Sequence, residues 1–276
     1  ILDGSKLSKN ILKDLPRSQK VRLAVIQVGN NSVSAKYIRE KEKVAQSLGF
    51  GFQLYKFPET IKASVLQSAL IKIAKDTKNT GLLIQLPTPP HLPLQEVLDC
   101  IPLKKDVDVL SSQALGLFAQ GALPWLPPTV KAVSILVQEA KVQLKGSRVL
   151  VIGAGRLVGL PVSLWLLKEG ATLTIANKAT KDLSSLAKQA DVIISGVGKY
   201  GLVKGSMVKK GAVVIDAGTS VEQGKTKGDV DFESVAKKAR YITPVPGGVG
   251  PLTVACLFQN LITLSRLRKY PHGAFD

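Results

Sequence analysis

Tyr37 and Lys41 stand four residues apart, the spacing that puts two side chains on one face of a helix, with Ser34 one turn before them. A phenol and an amine so placed could carry acid–base chemistry; taken alone, the pair is also an ordinary amphipathic-helix contact. A second candidate is Gly153-Ala-Gly-Arg-Leu-Val-Gly159, which follows an apolar run and opens a helical pattern. Missing side chains there let a backbone approach a pyrophosphate, and the helix N-terminus offers its free N–H groups. The G-x-G-x-x-x-G spacing is one residue longer than the usual dinucleotide fingerprint, so a plain tight turn stays open as the alternative. About 20 residues further on, NAD-binding chains place a carboxylate for the ribose 2′-hydroxyl; here stand Ala176, Asn177 and Lys178. A lysine there, with Arg156 in the turn, favours a 2′-phosphate and hence NADP over NAD; solvated surface charge is the competing reading.

The elements that must position these residues alternate along the chain. Val21–Val28, Phe52–Phe57 and Gly81–Gln85 read as strands, with helices over Ser34–Leu48 and Ser64–Lys75 between them. A proline-rich stretch from Pro87 to Pro93 ends that series, and a loop-rich stretch with short helical pieces runs from Pro102 to Pro128. A helix over Thr129–Ala140 leads to a second series. Its strands are Arg148–Ile152, Thr172–Ala176, Val192–Ser195 and Ala212–Asp216, and its final helix runs over about Gly250–Lys269. Alternation of this kind predicts an α/β chain of two lobes with parallel sheets, joined near 125–145. Tyr-x-x-x-Lys also marks short-chain dehydrogenases, but there the glycine turn precedes the pair; the reversed order rules that assignment out.

With 276 residues, 45% of them apolar, the chain can bury a sizeable core, which excludes disorder. No apolar run is long enough for a membrane span. Cys100 and Cys256 make no disulfide framework, and with only His91 and His272 as histidines no metal site is expected. Lys and Arg outnumber Asp and Glu 38 to 20, a net +18 that asks for an anionic partner. Seven Phe, five Tyr and two Trp do not interleave with the lysines, so nucleic acid is disfavoured. No secretory pattern opens the chain, and the cytoplasm is the expected compartment. Ile1 stands where an initiator methionine would, so a removed upstream targeting segment stays open.

Several further segments carry a resemblance. They are Ile1-Leu-Asp-Gly4, Gln85-Leu-Pro87, Lys105-Asp-Val-Asp108, Gly228-Asp-Val-Asp231 and Ile242-Thr-Pro-Val-Pro-Gly-Gly-Val-Gly-Pro-Leu-Thr253. Together with Tyr37-x-x-x-Lys41, and in this order, they closely resemble the bifunctional methylenetetrahydrofolate dehydrogenase/cyclohydrolase family over essentially the whole chain. The resemblance implies NADP-dependent oxidation of 5,10-methylenetetrahydrofolate to the methenyl cation, followed by hydrolysis to 10-formyltetrahydrofolate, a one-carbon donor for purine biosynthesis. It implies a folate/catalytic domain over 1–127 completed by the C-terminal helix 252–276, and a Rossmann-like NAD(P)-binding domain over 128–251. Lys41 would be the principal catalytic residue, Tyr37 would stack on folate, Gln85 would hydrogen-bond and tune the lysine, and Asp108 would bind the pterin. Pro246, Gly247 and Gly248 would let their loop approach folate and nicotinamide. Gly153, Gly155, Arg156, Gly159, Asn177, Lys178 and Thr219 would hold the cofactor. A homodimer through the cofactor domains is also implied.

Departures from the family's pattern cluster at the cofactor. Gly153-Ala154-Gly155 stands for Gly-Arg-Ser, Ala176-Asn177-Lys178 for Cys-His-Ser, and Gly218-Thr219-Ser220 for Gly-Ile-Asn. Nearer the folate, Pro127-Pro128-Thr129-Val130 stands for Pro-Cys-Thr-Pro, Thr88 for an apolar residue and Val109 for a glycine. The alternatives are a relative with one of the two activities, NAD-dependent in place of NADP-dependent for the dehydrogenase, or a non-catalytic folate- or nucleotide-binding module.

Overall fold

Runs of β-branched and leucine residues become strands, and the amphipathic runs between them become helices. The computed structural model describes residues 1–267. The first part of the chain forms α1 (Gly4–Asp14), β1 (Arg22–Val28), α2 (Ser32–Ser47), β2 (Gly51–Phe57), α3 (Ala63–Lys75), β3 (Gly81–Ile84), α4 (Leu94–Leu98) and α5 (Ser112–Gln120). Its strands pair in parallel in the order β2-β1-β3. Central β1 is buried at every position after Arg22, as expected of an apolar parallel strand covered on both faces. Its core takes Leu66 and Leu70 from α3, Leu82 and Ile84 from β3, and Val97 and Leu98 from α4.

The later part forms α6 (Pro128–Glu139), β4 (Arg148–Ile152), α7 (Gly159–Lys168), β5 (Thr172–Ala176), α8 (Leu183–Gln189), β6 (Val192–Ser195), β7 (Val213–Asp216), β8 (Ser220–Glu222), β9 (Lys225–Lys227), α9 (Phe232–Ala236), β10 (Tyr241–Ile242) and α10 (Val249–Leu267). Five strands make a parallel sheet in the order β10-β7-β6-β4-β5, while β8 and β9 form a separate antiparallel hairpin. This is the doubly wound arrangement in which winding reverses between β4 and β6. Ligands of such sheets sit outside the carboxyl ends of the strands at that reversal. The smaller sheet reverses in the same way between β1 and β3.

The chain separates into two compact units, one of Ile11–Pro128 with the chain from Val254 onward, the other of Ile1–Asn10 with Thr129–Thr253. The opening ten residues, expected in the first domain, therefore belong with the later one. The cause is backbone pairing: Leu2 N–H donates to the Ile242 carbonyl (2.9 Å) and Ser5 N–H to the Gly247 carbonyl (2.9 Å). The C-terminal helix does return to the first unit, as expected. Phe258 packs on Phe50 with ring centroids 6.0 Å apart, and Asn260 Nδ2 donates to the carbonyls of Val107 (3.0 Å) and Leu126 (2.8 Å). The expected continuation of that helix to Lys269, the rest of 252–276 beyond Leu267, and His272 lie outside the described residues.

Candidate active site

Asn31 starts α2 by accepting the Ser34 N–H on its side-chain oxygen (2.9 Å), which satisfies one of the donors a helix leaves open at its first turn. That helix leaves the end of β1 and carries Ser34, Tyr37 and Lys41. Ser34 Oγ donates to the Leu86 carbonyl (3.2 Å), so this face of α2 meets the residues that leave β3. Two turns further on, Lys41 Nζ donates to Gln85 Oε1 (2.8 Å). Gln85 is itself fixed: its backbone N–H pairs with the Ile26 carbonyl (2.8 Å) and its Nε2 donates to the Leu86 carbonyl (3.0 Å). The Leu86–Pro87 bond that follows is cis. The expected pair of Lys41 and Gln85 is thus assembled at the reversal point of the smaller sheet.

Asp108 joins them electrostatically. Burial lowers the Lys41 pKa, while the neighbouring Asp108 charge opposes that shift. Burial pushes Asp108 up to about 6; the Lys41 charge pulls it down and the Asp106 carboxylate pushes it up. Both residues are half-buried. An amine biased towards neutrality next to a carboxylate near neutral pH is an acid–base pair suited to physiological conditions.

The Lys105–Asp108 motif divides its labour in a way that local sequence does not reveal. Lys105 is buried, and its Nζ donates to the carbonyls of Ala74 and Asp76 at the end of α3, the second at 2.9 Å. A cation there also suits the negative end of the helix dipole. Asp106 is buried as well and accepts from the backbone N–H groups of Val109 (2.8 Å), Leu110 (3.0 Å) and Ser111 (2.9 Å). Those bonds hold the turn beyond Asp108, where Val109 takes φ 58°. A β-branched residue is strained in that left-handed region, where glycine would be at ease.

In the other unit the glycine turn follows β4, and Gly153 N–H donates to the Ala176 carbonyl (2.8 Å) at the end of β5. Arg156 in the turn and exposed Asn177 and Lys178 therefore leave adjacent strands at the same end of the sheet. A Cβ on Gly159 would lie 2.0 Å from the Gly153 carbonyl oxygen, and Gly153 itself has φ +100°. A Cβ on Gly155 would meet open space. The turn is thus closed by backbone contact at Gly153 and Gly159 and left open at Gly155, a cradle that fits a dinucleotide pyrophosphate. Asn177 Oδ1 is spent on the Ala179 N–H (2.9 Å), closing a small turn. Thr219, exposed, follows β7, which lies beyond β6 from β4 in the same sheet.

The Pro246-Gly247-Gly248 loop belongs to this unit, too. Gly247 has φ +108°, and a Cβ on Gly248 would come 2.6 Å from the Pro244 carbonyl oxygen. A Cβ on Gly4 would meet the Gly248 carbonyl at 1.8 Å, so the opening segment leaves no room for a side chain there. Among the described residues no group of three His, Cys, Asp or Glu is disposed to hold a metal ion.

Comparison with known proteins gives two family matches that cover the chain in succession. Residues 2–108 match the tetrahydrofolate dehydrogenase/cyclohydrolase catalytic domain, and residues 127–269 match the NAD(P)-binding domain of the same description. A bifunctional FolD protein of a Hydrogenobaculum species is 40% identical over 275 residues, spanning 97% of this chain and 99% of its own. A crystal structure of the bifunctional dehydrogenase/cyclohydrolase of Campylobacter jejuni superposes with a TM-score of 0.91 at 37% identity, covering 96% of this chain and 98% of that one. The Trypanosoma brucei enzyme, complexed with NADP and an inhibitor, gives 0.92 at 33% identity, covering 99% and 98%.

Proposed function

From the premise that the chain belongs to the tetrahydrofolate dehydrogenase/cyclohydrolase family, we propose that it oxidises 5,10-methylenetetrahydrofolate with NADP and hydrolyses the methenyl product to 10-formyltetrahydrofolate. The observation that carries this is the 2.8 Å hydrogen bond from Lys41 to Gln85 beside Asp108. A bound NADP would supply the acceptor for the hydride that leaves the methylene carbon. Gly153, Gly155 and Gly159 would admit its pyrophosphate, with Arg156, Asn177, Lys178 and Thr219 around its remaining polar groups. The product of oxidation is a cation, so a protonated lysine beside it would be unfavourable. Burial biases Lys41 towards the neutral amine, which relieves that repulsion and leaves a lone pair. Lys41 Nζ then takes one proton from the water that attacks the methenyl carbon, with Gln85 Oε1 holding the amine in place, and the C–N5 bond breaks as the remaining hydroxyl proton passes to N5, leaving the formyl group on N10. Asp108 accepts from the pterin's amino and ring N–H groups, and Tyr37 lies against its ring.

The folate/catalytic domain is taken as 1–127 without the opening ten residues, completed by the helix from 252, and the NAD(P)-binding domain as 128–251. Among the described residues no helix is long and apolar enough to cross a membrane, and we place the enzyme in the cytoplasm, supplying formyl groups for purine biosynthesis. A homodimer through the cofactor unit is supported by Leu160 and Leu167 on α7 and Ile175 on edge strand β5, all substantially exposed. Sedimentation should give twice the monomer mass.

Incubation with methylenetetrahydrofolate and either NADP or NAD, following reduced cofactor and methenyl product separately, tests the activity. Both products are expected with NADP, and formation of neither would overturn the assignment.

A further inference from the structure

Ser195 closes β6, and the loop that leaves it stands against the glycine turn. A Cβ on Gly153 would sit 3.0 Å from the Gly196 carbonyl oxygen, and a Cβ on Gly196 would sit 2.5 Å from Val158 Cγ1. These two loops are the two walls of the crevice at the β4/β6 reversal, where doubly wound sheets take their ligands. The second wall is held by a side chain more than thirty residues away in sequence. Asp229 Oδ2 accepts from Ser195 Oγ (2.6 Å) and from Val197 N–H (2.7 Å), and Asp229 Oδ1 accepts from Lys199 N–H (2.7 Å).

Asp229 is itself gripped by a second buried carboxylate. Asp216 Oδ1 accepts from the N–H groups of Asp229 (3.1 Å) and Gly218 (3.0 Å), and Asp216 Oδ2 from that of Val230 (2.9 Å). Two glycines make the room: a Cβ on Gly218 would fall 2.1 Å from the Asp229 carboxyl, and one on Gly228 would fall 2.0 Å from Asp216 Oδ2. Burying two carboxylates is expensive, and burial pushes Asp216 up to about 6. That expense goes to ordering a loop whose Val197 is 47% exposed and whose amides water would otherwise satisfy. A surface loop needs no such support unless its backbone position matters.

We propose that Asp229 is a positioning residue for dinucleotide binding, fixing the Ser195–Lys199 loop as one wall of the cofactor crevice, with Asp216 holding Asp229 in place. This rests on the reading that the unit binds NADP. Fluorescence titration and steady-state kinetics of Asp229→Asn test it, with thermal unfolding alongside. An amide turns a donor towards N–H groups that need an acceptor. The NADP dissociation constant and KM should rise about tenfold or more, the effect of one displaced charge-assisted contact, while kcat at saturating cofactor is retained. Ser195→Ala removes one of the three donors and should raise the same constants about threefold with little change in unfolding temperature. A kcat and unfolding temperature that fall together at unchanged KM would reduce Asp229 to a structural cap and overturn the proposal. If Asp229→Asn fails to fold, Ser195→Ala decides, and an unchanged NADP constant there overturns it as well. A wild-type protein that binds NADP while both variants bind it equally well defeats the positioning role alone; a wild-type protein that binds no dinucleotide defeats the functional reading and this inference with it.

Discussion

The folate side and the cofactor side of this protein use opposite materials. Around Lys41 the chemistry lies in side chains: an amine, an amide and a carboxylate are brought together from α2, the end of β3 and the turn after Lys105, and their pKa values are moved by burial. Around Gly153 the site lies in backbone, set by glycines at positions where a Cβ would strike a carbonyl. The difference explains where the chain departs from its family's pattern. The side chains proposed to act on folate, Tyr37, Lys41, Gln85 and Asp108, follow the family's pattern. Side chains that decorate a backbone cradle have changed, at Ala154, Asn177 and Lys178, while the cradle itself persists.

Removing the reacting group should give the largest effect. Lys41→Met keeps the stem and deletes the amine, so methenyl hydrolysis should fall by about a thousandfold, within the range for loss of a general base. Folate binding measured by calorimetry should persist, because Asp108 and Tyr37 remain. Hydrolysis at the wild-type rate would break the division between the two sides at its strongest point. On the cofactor side the comparable blow is to backbone. Gly159→Ala forces a methyl towards the Gly153 carbonyl, 2.0 Å away, and overpacking of this kind costs roughly 1–3 kcal/mol. Expressed in binding, that is about a tenfold to hundredfold rise in the KM for NADP. Ala154→Gly, at an exposed position, should leave it within about twofold by comparison with ordinary surface substitutions.

The same contrast governs what the sequence discloses. Strands such as Leu23–Ile26 and Val149–Ile152 announce themselves because burial on both faces demands continuous apolar residues. Tyr37 and Lys41 are legible because helical spacing places them together, and Gly153–Gly159 because a glycine turn between strand and helix has a local grammar. Lys105, Asp106, Asp216 and Asp229 are not legible in this way. Lys105 reaches the Ala74 carbonyl and Asp229 the Ser195 hydroxyl and Val197 N–H, groups that folding brings near, while Asp106 is spent on the N–H groups of the irregular turn that follows it. A motif such as Gly228-Asp-Val-Asp231 marks the place without stating what the carboxylate holds. The β8–β9 hairpin did carry a signal, since Gln223-Gly224 takes positive φ at both positions, as a two-residue hairpin turn requires, but glutamine is an unusual residue for it. The placement of Ile1–Asn10 with the later unit depends on backbone pairing and had no local sign.

Gln85 offers a way to sharpen the electrostatic half of the comparison. Gln85→Glu preserves the shape of the acceptor but adds a negative charge to the amine's partner. An adjacent anion favours protonated lysine, so the Lys41 pKa rises from its lowered value. In the proposed hydrolysis neutral lysine is the base, and its fraction grows as pH rises through that pKa. The rising limb of the hydrolysis profile should therefore move to higher pH, with about a tenfold loss near neutrality that alkaline conditions restore. Asp108→Asn removes an anion and should move the limb the other way while weakening folate binding. Below pH about 6 the wild-type enzyme should lose folate affinity as Asp108 takes up its proton, and the asparagine variant should not show that loss. A flat pH profile in all three proteins would separate Lys41 from the chemistry.

The smallest expected effect bears on the part of the cofactor side that has changed most. Arg156 and Lys178 leave adjacent strands at the end of the sheet where the Gly153 N–H meets the Ala176 carbonyl. Lys178 is exposed, and each contact of a solvent-facing cation with a phosphate is worth about 0.2–1 kcal/mol by comparison with surface ion pairs. Arg156→Ala and Lys178→Ala should each lower kcat/KM with NADP by about twofold to fivefold, leave the value with NAD nearly untouched, and lose their effect in high salt. The double variant should then approach equal use of the two cofactors. Only the 2′-phosphate distinguishes the two cofactors, so a charge that reads it can alter one constant without the other. If NAD serves the wild-type enzyme better than NADP, the two cations read something else, and the cradle alone, indifferent to the 2′ position, accounts for cofactor binding.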